Sequence, residues 1–155
     1  MKTLINNLEG ECKIKKDVEE LFDRSLDVWS NQGKVDRIWT ELHYYGRYTL
    51  VARILGEPTK KDEILIIAGC GRGDPFFDDS GYSIIGFDLS IESCKDAKKK
   101  IGPRVIQCDM EYIPLKTSCA DKITAIYSLV YVPNKLRALS EFERILRCRV
   151  QSVLS

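Results

Sequence analysis

The first third of the chain carries apolar residues at the three-and-four spacing of amphipathic helices. One helix is predicted to begin at Asp17, and a second helical pattern ends before Gly56. We expect the polar residues 1–15 to be loosely held, and residues 1–56 to form a helical segment that packs on the rest of the chain. The apolar positions of the first helix are Val18, Leu21, Phe22, Leu26 and Trp29.

The pattern changes after the polar linker 57–62, where short apolar runs alternate with helical patterns. The predicted strands are 63–68, 83–87, 104–108 and 122–128, with 149–154 as a candidate fifth strand. The predicted helices are 75–80, 91–101 and 135–147. Strands that alternate with helices indicate parallel crossovers and a sheet covered on both faces. Residues 57–155 are therefore predicted to form an α/β, Rossmann-like, mostly parallel sheet of about five strands in the order 3-2-1-4-5.

Composition narrows the function classes. The chain of 155 residues is about one domain in size, and its 24 basic and 23 acidic side chains give no broad attraction for nucleic acid or membrane. The six cysteines form no C-x-x-C pair, which disfavours a zinc cluster or a disulfide framework. With neither a secretory apolar region nor a long apolar span, we expect a soluble, cytoplasmic protein without a bound metal.

The stretch EILIIAGCGRGDPFF, residues 63–77, ends a strand in a glycine-rich turn. A dinucleotide fingerprint has glycine at its sixth position, where this chain has Asp74. Asp74 and Pro75 suit the N-cap and first position of a helix, and the carboxylate would occupy the amides that a pyrophosphate needs. This disfavours a nicotinamide-dependent oxidoreductase, which stays as a third hypothesis. A ligand without phosphates avoids the repulsion.

S-adenosylmethionine is such a ligand, and its ribose needs a carboxylate partner. Asp88 ends the second predicted strand about 20 residues after Gly69, the spacing at which a carboxylate holds ribose hydroxyls. Asp109 ends the third apolar run and would reach the same edge of the sheet. Each feature also has a structural explanation that needs no cofactor. The glycines would form a tight turn without a ligand, Asp88 would merely flank a helix capped by Ser90, and Asp109 would be an ordinary loop residue.

Four segments resemble the class I S-adenosylmethionine-dependent methyltransferases, in particular the type 11 methyltransferase domain. They are ILIIAGCGRG, IIGFDLS, VIQCDMEYIPL and ADKITAIYSLVYVPNKLRALSEFERIL, within residues 62–147. The resemblance implies S-adenosylmethionine as the cofactor and S-adenosylhomocysteine as its product. It also implies cofactor contacts at Gly69, Cys70, Gly71, Gly73, Asp88, Leu89, Asp109, Met110 and Tyr127.

The resemblance assigns these residues to different parts of the cofactor. The glycine turn would pack on the methionine part, Asp88 would bind the ribose, and Leu89 would lie beside the adenine. Asp109 would bond the adenine amino group and Met110 would follow it. The stretch at Tyr127 and Ser128 would face the transferred methyl.

The chain departs from that family pattern at three places. Ile67 stands where an acidic residue is usual, and the first helix is shorter than usual. We expect no sixth or seventh strand after residues 149–154, which would leave an edge able to pair with a second copy in a homodimer. These departures motivate an alternative hypothesis, a catalytically silent module that acts through a dimer or a partner.

The acceptor and the catalytic residues stay open. His43, the only histidine, is a weak candidate base, and Tyr127 is a second weak candidate. Aromatic faces near the pocket would attract the sulfonium by ~0.5–2 kcal/mol, although amphipathic packing is the slightly favoured explanation for Tyr44, Tyr45 and Tyr48. The Asn/Asp-Pro-Pro-Tyr element of nucleic-acid amino-methyltransferases is absent at 127–130. We therefore expect a small-molecule or protein acceptor and no nucleic acid.

Overall fold

The structure, a computed structural model, describes residues 13, 15–16, 19–20, 49–73, 80–147 and the backbone of 152–154. Its parallel strands run in the order β3-β2-β1-β4, which confirms the predicted order for the first four. A short segment, β5, pairs in parallel with β4. The strands are β1 (Ile64–Ala68), β2 (Ser83–Asp88), β3 (Val105–Gln107), β4 (Lys122–Ala125) and β5 (Ser152–Leu154).

Two capped helices connect and flank the strands. Helix α1 (Ile91–Lys100) crosses from β2 to β3, and the Ser90 side chain caps it by accepting a 3.0 Å hydrogen bond from the Ser93 amide. Helix α2 (Lys135–Ile145) follows β4 and is capped in the same way by Asn134. Both helices end slightly earlier than predicted.

The two faces of the sheet bury different side chains, as the alternation along a strand requires. Ile66 and Ala68 of β1 belong to a core with Phe142 of α2, whereas Leu65 and Ile67 pack with α1 on the other face. Helical residues 49–55 join this second core through Val51 and Leu55. Each large buried side chain contributes ~1.5–3 kcal/mol. The predicted cover on both faces is therefore present.

A buried polar cluster closes the edge of the sheet at which the strands begin. Lys122, at the start of β4, lies 3.1 Å from Glu63 and donates a 2.6 Å hydrogen bond to the Leu55 carbonyl. Tyr82 donates to the Gly56 carbonyl at 2.9 Å. Burial alone would lower the pKa of Lys122, but its bonds to Tyr82 and Glu63 raise it. The cluster thus ties the end of the 49–55 helix to β1 and β4.

Some predicted boundaries are wrong. Lys13, Lys15 and Lys16 have helical backbone, so helical structure is present before the start predicted at Asp17. β4 ends at Ala125 rather than at 128 because the chain turns there into a 3₁₀ turn, Leu129–Tyr131. The predicted helix 75–80, except Ser80, and most of the two N-terminal helices lie outside the described residues.

Candidate functional site

The carboxyl ends of four strands bring the predicted site residues to one edge of the sheet. Gly69 follows β1 and Asp88 ends β2, while Asp109 and Tyr127 lie shortly beyond β3 and β4. The amides of Gly69 and Cys70 both donate to the Phe87 carbonyl, at 2.8 and 3.0 Å. The glycine turn is therefore fastened to the end of β2. In open α/β sheets, this edge is where ligands bind.

The three glycines of the turn have left-handed backbone angles, but their surroundings differ. A Cβ on Gly69 would lie 2.2 Å from the Ser128 Cβ, and one on Gly73 would lie 2.9 Å from the Ala97 Cα. Packing inside the protein therefore requires glycine at both positions. Among the residues that the structure describes, a Cβ on Gly71 would meet nothing within 4 Å. The open side of the turn is thus at Gly71.

The Asp88 side chain accepts hydrogen bonds from the glycine turn and from the residue that caps α1. One carboxylate oxygen accepts a 2.8 Å hydrogen bond from the Gly71 amide, and the other accepts a 3.0 Å bond from the Ser90 amide. Asp88 is therefore a structural link between the glycine turn and the start of α1. These two bonds fix the direction of the carboxylate at the carboxyl edge of the sheet.

Asp109 is fixed by two donors. The Glu111 amide donates to one of its oxygens at 2.9 Å, and the Lys15 ammonium donates to the other at 2.6 Å. Lys15 also lies 3.3 Å from the carboxylate of Glu111, whose side chain is only 2% exposed. Burial alone would lower the pKa of Lys15, but the bonds to Asp109 and Glu111 raise it.

The N-terminal segment contacts the edge of the sheet at a second point. Gln107, the last residue of β3, donates to Glu19 at 3.1 Å and to the Leu89 carbonyl at 2.9 Å. Nothing in the sequence indicated Lys15 or Glu19, because both lie in polar stretches far from the motifs. Glu111 carried a weak signal, since it stands two residues after Asp109 in VIQCDMEYIPL.

Two predicted cofactor residues are buried. Met110 is 9% exposed, and its methyl group would contact a Cβ on Gly69. The Cys70 sulfur lies 3.1 Å from the Cβ position of Gly86, and burial together with the nearby Asp88 charge raises the pKa of its thiol. The thiol therefore belongs to the core and is not an activated nucleophile. Any contact between Cys70 and a cofactor has to come from its backbone.

The segment after β4 is strained and exposed. Tyr127 has a φ of 56° and is 41% exposed. A left-handed conformation costs an aromatic residue ~1–3 kcal/mol, and such residues cluster at functional sites. Ser128 donates a 2.7 Å hydrogen bond to the Ala68 carbonyl. The chain after β4 is thereby attached to the end of β1, beside the glycine turn.

Several sequence predictions lie outside the described residues, namely His43, Tyr44, Tyr45, Tyr48 and Asp74. Within the part of the chain that the structure describes, no three acidic, cysteine or histidine side chains form a metal-binding group. No helix among those residues has the length and apolar character needed to cross a membrane.

Ile67, in place of the expected acid, is 6% exposed and lies in the core shared with α1.

A family model decides the classification. The model described as a methyltransferase domain matches residues 66–150, more than half of the chain. The chain belongs to this methyltransferase family. The match covers the glycine turn, both acidic strand ends and the segment after β4, so the resemblance predicted from the four motifs is confirmed.

Similar proteins support the family and the fold. The malonyl-[acyl-carrier protein] O-methyltransferase of Pectobacterium atrosepticum is 29% identical over 112 residues, or 66% of this chain and 44% of the relative. A geranyl diphosphate C-methyltransferase from Streptomyces coelicolor, solved with S-adenosyl-L-homocysteine, is 19% identical with a TM-score of 0.70 over 86% of this chain and 61% of its own. An S-adenosylmethionine-dependent methyltransferase from Thermotoga maritima is 24% identical with a TM-score of 0.65 over 83% and 56%.

The likeness to the solved structures shows a shared fold. This chain spans less than half the length of two curated relatives that it matches, 41% of one and 44% of the other. What those proteins act on is a property of the longer proteins.

Proposed function

We propose that this chain binds S-adenosylmethionine at the carboxyl edge of the sheet and transfers its methyl group to a small molecule or a protein side chain. The observation that carries the proposal is the pairing of an open glycine with a fixed carboxylate. Gly71 has a left-handed backbone, no atom of the described residues lies within 4 Å of the position its Cβ would take, and its amide donates to Asp88 at 2.8 Å.

The residues at this edge suit a nucleoside without phosphates. As carboxylates, Asp88 can accept hydrogen bonds from the ribose hydroxyls and Asp109 can accept one from the adenine amino group. Gly71 gives the methionine part room to approach the backbone. Asp88 and Asp109 also attract the positively charged sulfonium of this cofactor.

When bound, S-adenosylmethionine supplies an electrophilic methyl carbon that a nucleophile can displace in line. The chain's own task is then alignment, and proximity can lower the barrier by ~7–11 kcal/mol. Tyr127 and Ser128 are the residues that we place next to the acceptor, because they follow β4 and lie beside the glycine turn. A base is needed only for an acceptor that is protonated at neutral pH.

A second candidate function is a methyltransferase-like module that does not catalyse and acts through a partner. Ile67 favours it, because an apolar core residue stands where the family pattern has an acid. The loss of that acid removes an anchor for the methionine part. A chain that binds a partner but neither the cofactor nor its product would support this alternative.

Calorimetric titration of the full chain with S-adenosylhomocysteine tests the proposal. We expect saturable binding of S-adenosylhomocysteine and none of NADH. Transfer of labelled methyl from S-adenosylmethionine to a small-molecule extract or a protein extract then identifies the acceptor class. No binding at millimolar S-adenosylhomocysteine would reject the proposal and favour the silent module, whereas binding without transfer to either extract would reject methyl transfer to these two acceptor classes.

A further inference from the structure

A lysine from the N-terminal segment reaches the candidate adenine side of the site. The Lys15 ammonium lies 2.6 Å from Asp109 and 3.3 Å from Glu111, and its side chain is 20% exposed. Asp109 is 94 positions away in the sequence. The contact between Glu19 and Gln107 joins the same segment to the end of β3. These are contacts between distant parts of the chain, made where Asp109 follows β3.

Lys15 also supplies the positive charge that pairs with two neighbouring carboxylates. Asp109 and Glu111 are two carboxylates that share this one ammonium, and Glu111 is 2% exposed. A buried carboxylate without a cation is strongly destabilised. Arg137 approaches the same turn but bonds the Glu111 backbone carbonyl and stacks on Tyr112. Lys15 is therefore the cation that forms ion pairs with both carboxylates in the described part of the chain.

The two donors on Asp109 fix the direction of its carboxylate. One oxygen is held by the Glu111 amide and the other by Lys15, which leaves lone pairs for one more donor. We propose that Lys15 is a positioning residue that orients Asp109 to recognise the adenine amino group, an inference that rests on the proposed function. Lys15 acts through Asp109 and does not itself touch the cofactor.

The expected consequence is selectivity for a six-amino purine over a six-oxo purine. A fixed carboxylate accepts a hydrogen bond from the amino group of adenine, whereas the carbonyl oxygen of hypoxanthine would face it as a second acceptor. Without Lys15 the Asp109 carboxylate is free to turn, so it no longer presents an acceptor in one fixed direction to the amino group of adenine or to the carbonyl oxygen of hypoxanthine. The preference should then shrink.

The test compares S-adenosylhomocysteine with S-inosylhomocysteine by calorimetry. We expect the parent chain to prefer the adenine ligand at least tenfold, and Lys15→Met to reduce that preference to less than threefold. Lys15→Arg should retain it, because the cation is kept. Lys16→Met changes the exposed neighbour of Lys15 and should match the parent. A purely structural loss would weaken both ligands by the same factor and leave their ratio unchanged.

A second pair of variants allows the same comparison if Lys15→Met does not fold. If the unpaired Glu111 charge unfolds Lys15→Met, the comparison is made between Glu111→Gln and the double variant Lys15→Met/Glu111→Gln. The inference would be overturned if the preference for S-adenosylhomocysteine survives the removal of Lys15, or if the parent chain binds both ligands equally. Either result would leave the proposed function intact. Failure of the parent to bind either ligand would overturn both.

Discussion

The Asp88 carboxylate accepts a hydrogen bond from the Gly71 amide at 2.8 Å, and thereby joins the end of β2 to the open side of the glycine turn. A second bond, from the Ser90 amide, links the same carboxylate to the start of α1. One side chain thus sets the relative positions of a strand end, a turn and a helix. Under the proposed function, the ribose would bind at this junction.

The two glycines at either side of Cys70 should respond differently to alanine. Gly69→Ala forces a methyl group against Ser128 as well as a left-handed alanine, so we expect a loss of about 2–5 kcal/mol in the free energy of unfolding. Gly71→Ala meets no neighbour in the described part of the chain and should cost only ~1–2 kcal/mol, but its methyl group should obstruct the ligand.

Denaturant unfolding and S-adenosylhomocysteine titration check both variants. Gly71→Ala should stay folded and lose affinity at least tenfold. Unchanged affinity in this variant would mean that the ligand does not approach the turn at Gly71.

Replacing Tyr127 by asparagine should increase stability and reduce activity. Because its φ of 56° suits asparagine better than tyrosine, Tyr127→Asn is expected to raise the free energy of unfolding by about 1 kcal/mol while reducing methyl transfer. Tyr131→Asn is the matched control, since Tyr131 is similarly exposed and is not among the residues with positive φ. A Tyr127→Asn chain that is less stable than the control variant would argue against strain at this position.

Glu63 should contribute to acid sensitivity. Burial alone would raise the pKa of Glu63, but bonds from Thr59 and Lys122 bring it below the ordinary value of 4.5. The folded-state pKa lies below the unfolded one, so the stabilisation is present above pH 4.5 and is lost as the pH falls through the folded value. Glu63→Gln should therefore flatten the dependence of stability on pH in the acid range.

At neutral pH the same substitution should cost about 3–5 kcal/mol, because it leaves Lys122 buried without its acid. Thermal unfolding between pH 3 and 7 is the measurement, with the exposed Glu57→Gln as control. Parallel curves for Glu63→Gln and the parent would contradict the account of this cluster.

Local signals in the sequence predicted the central strands and their order. β1 is a continuous apolar run that stops at a glycine turn, and β2 is an apolar run that stops at Asp88, so propensity and turn chemistry agree at both ends. The end of β4 was predicted too late, because the apolar residues continue through Ile126 and Tyr127. Only the left-handed Tyr127 shows where the strand stops.

The contacts around Asp109 could not be predicted from local patterns. Lys15 reaches Asp109 across 94 positions, and a polar stretch carries no periodicity that would reveal such a contact. Glu111 looks like a surface residue in the sequence, and its burial depends on Lys15 and the Asn134 amide arriving from two other segments. Pairings of this kind are properties of the folded chain.

The central claim is that Asp88 holds the ribose of S-adenosylmethionine, and calorimetry with S-adenosylhomocysteine on two matched variants tests it most directly. Asp88→Asn should lower the affinity about tenfold to a hundredfold, since hydrogen bonds to a charged group contribute ~1.5–3 kcal/mol. Asp62→Asn, an exposed and left-handed position remote from the turn, should match the parent. Equal affinity of Asp88→Asn, Asp62→Asn and the parent would contradict the account.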